Sequence, residues 1–206
     1  MDTHTLLNGH RLLNHPFYRR WEEGCLQDGE LSSYAAQYRY FEAQLPSFLE
    51  GLEGLVENDE AKALVAANLA DEVGGEVTHL ELFENFATAV DATTEEISPA
   101  MAALIETYRA AVAEGDAAYA LGVLAGYEVQ ASEVAMTKGA GLRAHYGVTG
   151  AGLSFWDVHG TAEADHAAWT LEASTTVDSD RFVQGANASA AAWWSFLNER
   201  DALVAA

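Results

Sequence analysis

The chain has 206 residues, half of them hydrophobic, and carries 32 acidic side chains against 10 basic ones, for a formal net charge of −22. This balance argues against nucleic acid and against an anionic membrane as partners, because binding phosphates needs a basic surface. The single cysteine, Cys25, excludes an intrachain disulfide, and the absence of a signal-peptide pattern over Met1 to Asn8 and of an apolar run of ~20 residues predicts a cytoplasmic protein.

Helical patterns follow one another along the chain, with no alternating strand pattern and no internal repeat. Pro16 suits the first turn of a helix, Pro46 is expected to kink one, and Ser98 is expected to cap one. The predicted helical segments are 6–21 with a break at residues 15–16, 31–53, 60–90, 99–113, 116–146, 153–173 and 178–205. We therefore expect one domain over 1–206, an all-α bundle of about seven helices with its functional site in the core.

A stripe of metal-ligand side chains stands out in the segment 153–173. His159, Glu163 and His166 are spaced so that two imidazoles and a carboxylate lie along one side of a helix. Glu72 and His79, seven residues apart and about 20° out of register on a helix, form a second pair.

Glu128 adds a third carboxylate from another helical segment. Three imidazoles and three carboxylates suit two first-row metal ions, and half the ligands being hard oxygens favours iron or manganese over zinc.

A second arrangement of ligands is also compatible with the sequence. The pattern E-x-x-H occurs twice, at Glu76 to His79 and at Glu163 to His166, as in ferritin-like dimetal bundles. The other two glutamates would then be Glu128 and one of Glu42 and Glu50. This arrangement gives His159 no role, so we rank it second. Glu76 could also join the first ligand set.

The order of these motifs resembles the heme-oxygenase-like dimetal oxidases, relatives of the TenA and PQQ-synthesis oxidase folds. The likeness runs from His15-Pro16-Phe17-Tyr18 through Asn68-Leu69-Ala70-Asp71-Glu72 to His166. The resemblance implies a TenA-like helical fold, two metal ions as Fe/Fe or Fe/Mn, molecular oxygen as co-substrate, an external reductant and no heme. The resemblance leaves open whether the protein forms a homodimer.

Within that family the chain looks most like the CADD group. This resemblance implies synthesis of p-aminobenzoate for folate. Those proteins are thought to cut the ring from one of their own tyrosines and to take the amino group from one of their own lysines. By motif, Tyr18 matches the sacrificed tyrosine, Tyr127 is the second matching tyrosine, and Lys138 matches the amino donor.

Each of these assignments has a plainer interpretation. Tyr18 could be a core aromatic residue and Lys138 a solvated lysine, although the chain keeps only one other lysine, Lys62.

The chain departs from the family pattern at one predicted ligand. The family usually has aspartate where this chain has Glu163, which is one methylene longer, and this difference leaves the metal preference open.

Two other classes of function are also compatible with the sequence. One is a related oxidase that acts on an external small molecule, such as an amino acid, a fatty acid or a cofactor precursor. The other is a non-enzymatic helical interaction protein. A thiaminase of the TenA type is disfavoured, because the sole cysteine, Cys25, lies in the N-terminal region.

Overall fold

The computed structural model describes residues 3–75 and 77–203, apart from the side chains of Thr3 and residues 162–164. Within these ranges the regular structure is helical and no strand occurs, which confirms the predicted all-α class. The α-helices are α1 Thr3–Leu7, α2 Pro16–Glu22, α3 Glu30–Glu42, α4 Leu45–Leu55, α5 Asp59–Val73, α6 His79–Ala89, α7 Pro99–Glu114, α8 Ala117–His145, α9 Ala151–Ala173 and α10 Ser179–Ala202.

More helices form than the predicted seven, because three predicted segments are divided. The first is divided as expected, with Pro16 opening α2 and the His15 ring accepting a hydrogen bond from the Phe17 N–H. The kink predicted at Pro46 is wrong. The helix ends at Glu42, and Pro46 lies in the first turn of α4, where its missing N–H costs nothing.

The predicted single helix over 60–90 is also wrong. It is interrupted after Val73, and Gly75 adopts a left-handed φ of +82° that favours glycine. Thr78 then starts α6 with a capping box: its hydroxyl accepts the Glu81 N–H and the Glu81 carboxylate accepts the Thr78 N–H. Glu72 and His79 therefore lie on different helices.

The predicted starts of the later helices are confirmed. Ser98 caps α7, Asp116 caps α8 and Asp178 caps α10, each by accepting backbone N–H groups of the first turn. In the part of the chain that the structure describes, no helix has the length and apolar character to cross a bilayer.

Helix α8 forms the centre of the bundle, and its packing against α9 and α10 is more extensive than that of any other pair of helices. Glycines allow α8 and α10 to approach backbone to backbone: a Cβ on Gly122 would lie 2.0 Å from the Phe182 carbonyl oxygen, and one on Gly185 would lie 2.1 Å from that of Tyr119. Helix α8 carries Glu128 and Lys138 into the interior.

Candidate active site

The break between α5 and α6 brings Glu72 and His79 together. Glu72 lies one residue before the end of α5, and His79 is the first residue of α6. His79 Nδ1 lies 3.0 Å from Glu72 Oε2, yet it is not oriented for a hydrogen bond to any group among the described residues. A carboxylate and an imidazole nitrogen that face each other in this way can share a cation.

His159 completes this group from α9. Its Nδ1 lies 2.8 Å from the Phe155 carbonyl oxygen, and because a carbonyl can only accept, Nδ1 carries the proton and Nε2 keeps a lone pair. The ring centroids of His159 and His79 are 4.4 Å apart. Burial, with the neighbouring His79 second, holds the pKa of His159 well below its usual value, so the ring is neutral, as a metal ligand must be.

Glu72, His79 and His159 each offer one ligand atom, and these atoms all lie within 4.8 Å of one another. All three residues are buried. A dry set of one carboxylate and two imidazoles fits a first-row metal ion, with hard and borderline donors in the same site.

Glu128 and His166 form a second pair of predicted ligands, outside the group of Glu72, His79 and His159. Glu128 Oε2 lies 3.9 Å from His166 Nδ1, while Glu128 Oε1 accepts a hydrogen bond from Asn68 Nδ2 at 3.2 Å. On the other side of its ring, His166 Nε2 donates to Asp71 Oδ2 at 3.2 Å. Asp71 thus orients an imidazole in the manner of the carboxylates that support metal-binding histidines.

Two of the predicted carboxylates lie outside the described residues: Glu76, and the side chain of Glu163. The structure distinguishes between the two glutamates that the ferritin-like alternative allows as a fourth glutamate ligand, Glu42 and Glu50. Glu42 is buried and Glu50 is exposed. Burial, followed by the charge of Glu72, raises the pKa of Glu42 well above its usual range.

The second part of the site is a buried amine inside an aromatic cage. Lys138 is 1 % exposed, and its Nζ lies 4.4 Å from the centroid of the Tyr18 ring. The other rings around Nζ are those of Trp156 at 4.6 Å, Tyr34 at 4.9 Å, Tyr38 at 5.2 Å and Trp21 at 5.7 Å. The interpretation of Lys138 as a solvated surface lysine is therefore wrong.

Burial also sets the protonation of this cage. It holds the pKa of Lys138 well below its usual value, against a smaller opposing effect of Glu42. Burial raises the pKa of Tyr18 and Tyr34 above the ordinary value of a phenol. Burial thus favours the neutral form of all three groups, and the neutral amine has a free electron pair.

Tyr127 occupies a different position from Tyr18. Its hydroxyl lies 2.6 Å from that of Tyr38, and its ring stacks on Trp193 with centroids 4.6 Å apart. Tyr127 directly precedes Glu128 on α8, and its hydrogen-bond partner Tyr38 is one of the rings of the Lys138 cage.

Tyr34, Tyr38 and Asp71 were not among the predicted site residues. Tyr34 and Tyr38, with Glu42, recur every four residues and so share one side of α3, a signal that the sequence already contained. Asp71 precedes Glu72, and a neighbour of a ligand on a helix points about 100° away from it. Nothing in the spacing linked Asp71 to His166.

Comparisons with known proteins agree with this architecture. A family model described as an iron-containing redox enzyme matches residues 32–194. The 4-aminobenzoate synthase of Chlamydia pneumoniae is 30% identical over 91% of this chain and 88% of its own length, and that of Nitrosomonas europaea is 31% identical over 81% and 75%.

Solved structures show the same fold at low sequence identity. A TenA homolog from Pseudomonas syringae superposes with a TM-score of 0.82 at 15% identity, covering 96% of this chain and 90% of that one. A CADD-like protein from Nostoc punctiforme gives 0.74 at 16% identity, with 96% and 95% covered. With its heme-oxygenase-like fold and a family match over most of its length, this chain belongs to the family of iron-containing redox enzymes.

Proposed function

We propose that this chain is a 4-aminobenzoate synthase that makes its product from its own Tyr18 and Lys138. Relatives from Chlamydia pneumoniae and Nitrosomonas europaea, aligned over most of the chain, carry that name. The observation that carries the proposal is the position of the Lys138 amine, 4.4 Å from the centre of the Tyr18 ring in a buried cage. The proposed amino donor and the proposed ring donor lie against each other.

The metal site would hold two ions, Fe/Fe or Fe/Mn. Its ligands would be Glu72, His79, Glu128, His159, Glu163 and His166. When bound, such a pair supplies activation of molecular oxygen, with electrons from an external reductant. Two imidazoles and a carboxylate already grouped within 4.8 Å support this assignment.

The protein's own residues prepare the two reacting groups. The cage of Tyr18, Tyr34 and Trp156 excludes water from the Lys138 amine, and burial keeps that amine neutral and therefore nucleophilic. Tyr18 is favoured over Tyr127 as ring donor because the amine lies directly over the Tyr18 ring. Tyr127 is instead hydrogen bonded to Tyr38 and is not one of the rings of the Lys138 cage.

A single-turnover experiment tests the proposal. Purified protein is loaded anaerobically with ferrous iron, with and without manganese, reduced and exposed to oxygen. We expect release of p-aminobenzoate in at most one equivalent per chain, with a mass deficit at Tyr18 in the peptide map. Tyr18→Phe and Lys138→Arg should release none, whereas Lys62→Arg should behave like the parent protein.

Two results would overturn the proposal. Product release with intact Tyr18 would remove the sacrificed tyrosine. Many turnovers on an added small molecule, retained in Tyr18→Phe and Lys138→Arg, would establish an oxidase with an external substrate instead.

A further inference from the structure

Tyr34 connects the two groups that the proposed function consumes. Its hydroxyl oxygen lies 2.6 Å from Lys138 Nζ and 2.9 Å from the Tyr18 hydroxyl oxygen. The three residues come from α3, α8 and α2, and each is at most 1 % exposed. The Tyr34 hydroxyl is therefore a bridge between an amine and a phenol in a site without solvent.

The bridge can carry a proton in either direction. A hydroxyl donates one hydrogen bond and accepts others, so Tyr34 can accept from Lys138 while it donates to Tyr18. It can equally accept from Tyr18 while it donates to a neutral Lys138 amine. Burial of the three groups favours the neutral amine, and so makes the second direction available.

We propose that Tyr34 is a proton relay, which passes the phenolic proton of Tyr18 to the Lys138 amine when a one-electron oxidant removes an electron from Tyr18. The Tyr18 O–H bond breaks and an O–H bond forms on Tyr34. The original Tyr34 O–H bond breaks and an N–H bond forms on Lys138 Nζ. The electron passes to the oxidant, which leaves a neutral phenoxyl radical at Tyr18 and an ammonium group at Lys138.

The relay rests on the proposed function only for the identity of its biological oxidant. The positions of its three groups do not depend on a bound metal. Without an acceptor, oxidation of a buried phenol would leave a phenol cation in a low-dielectric site, at a high cost in free energy. General acid–base assistance of this kind contributes about 10²–10⁴ in rate. Lys138 would therefore act as a base before it acts as an amino donor.

The test uses metal-free full-length protein and a photogenerated ruthenium(III) tris-bipyridine oxidant, a cation that the acidic protein attracts. Electron paramagnetic resonance measures the radical at Tyr18, defined as the signal lost in Tyr18→Phe. We expect Tyr34→Phe and Lys138→Met each to slow formation of this radical by about 100-fold. Tyr108→Phe is the matched control: Tyr108 is a buried tyrosine outside the Lys138 cage, its hydroxyl lies 3.0 Å from that of Ser189, and the variant should keep the parent rate.

A pH profile separates the relay from a merely structural role of Tyr34. In the parent protein the rate should fall as the Lys138 amine becomes protonated at lower pH, whereas Tyr34→Phe and Lys138→Met should show no such step. The titratable groups that face Lys138 are Tyr18, Tyr34 and Tyr38, and Glu42 and His159 interact with it electrostatically when they are charged. If the pH-dependent step in the rate remained in Lys138→Met, it would belong to one of the other groups, and the relay would be overturned.

Equal rates in the parent protein and in a folded Tyr34→Phe would overturn the relay, as would a parent protein that forms no radical at Tyr18. Both results are distinct from failure of the proposed function, which is decided by product release from the metal-loaded protein. Lys138→Met interrupts the same path at its other end, so the test does not depend on one variant.

Discussion

At the scale of single residues, Lys138 has an unusual environment for a lysine, because lysines are almost never fully buried unless they are paired. Its amine is fully buried, and the aromatic cage around it provides π-faces and one hydroxyl. The amine is thus neutral when the protein is folded and protonated when the chain is unfolded, over the pH range between its lowered pKa and its ordinary value near 10.5.

We predict that this difference makes the folded protein more stable as the pH rises through that range. Because the unfolded chain binds one more proton, the free energy of unfolding should increase by about 1 kcal/mol per pH unit from this residue. Urea unfolding of the parent protein and of Lys138→Met at several pH values isolates the effect. The Lys138→Met curve should lack this slope, and Lys62→Met should keep it. Parallel curves for parent and Lys138→Met would contradict the prediction.

Asp71 is a second residue whose role is visible only in the structure. Its carboxylate accepts a hydrogen bond from His166 Nε2, which turns Nδ1 toward Glu128. We predict that Asp71→Asn lowers the affinity for Fe(II) or Mn(II) by about 10- to 100-fold, the usual effect of removing such a supporting group.

An anaerobic metal titration of the reduced protein measures that affinity. Asp157→Asn is the matched control, since Asp157 is exposed on α9 and pairs with Arg143 at the surface. Equal affinities for Asp71→Asn and Asp157→Asn would show that Asp71 does not support a ligand.

At the scale of helices, the contact between α8 and α10 depends on glycine. A Cβ on Gly122 would lie 2.0 Å from the backbone oxygen of Phe182, so the two helices would have to separate. We predict that Gly122→Ala lowers the free energy of unfolding by about 2 kcal/mol or more.

Gly54→Ala is a control that should change the free energy of unfolding in the opposite direction. Gly54 lies in α4, and a Cβ added there would meet no atom within 4 Å, so alanine should raise stability by roughly 0.5–1 kcal/mol through its better helix propensity. Chemical denaturation of both variants checks the pair. A Gly122→Ala protein as stable as the parent would show that the close approach is not needed.

The helices were largely predictable because caps and breakers are local signals. Ser98 and Asp116 mark helix starts in the sequence, and the structure places caps at both. The interruption after Val73 was not predicted, since a glycine such as Gly75 lowers helix stability but does not by itself decide whether a helix continues. The outcome depends on Thr78 and Glu81 starting a new helix there.

Part of the site was also predictable, because the spacing of ligands along one helix is a local signal. Spacing along a single helix identified His159 and His166, and both are buried in the core. The link from Tyr34 to Lys138 joins residues 104 positions apart, so only tertiary packing reveals it.

At the scale of the whole molecule, the net charge of −22 dominates. Acidic side chains repel one another over roughly 10 Å at 0.1 M salt and over about 3 Å at 1 M. We predict that sodium chloride raises the midpoint of thermal unfolding by several degrees, since about 1 kcal/mol corresponds to roughly 2–4 °C for a chain of this size. Scanning calorimetry from low to high salt measures this. An unchanged midpoint would mean that repulsion contributes little to stability.

In the proposed reaction, Lys138 supplies the amino group and Tyr18 supplies the ring of one product molecule. The most direct measurement uses Lys62→Arg protein, in which Lys138 is the only lysine, grown with ¹⁵N-lysine labelled at Nζ and ring-¹³C tyrosine. After metal loading, reduction and one exposure to oxygen, mass spectrometry of the released p-aminobenzoate should show both labels, and the Tyr18 peptide should have lost its ring. Release of p-aminobenzoate without the ¹⁵N label, or with Tyr18 intact, would contradict the account.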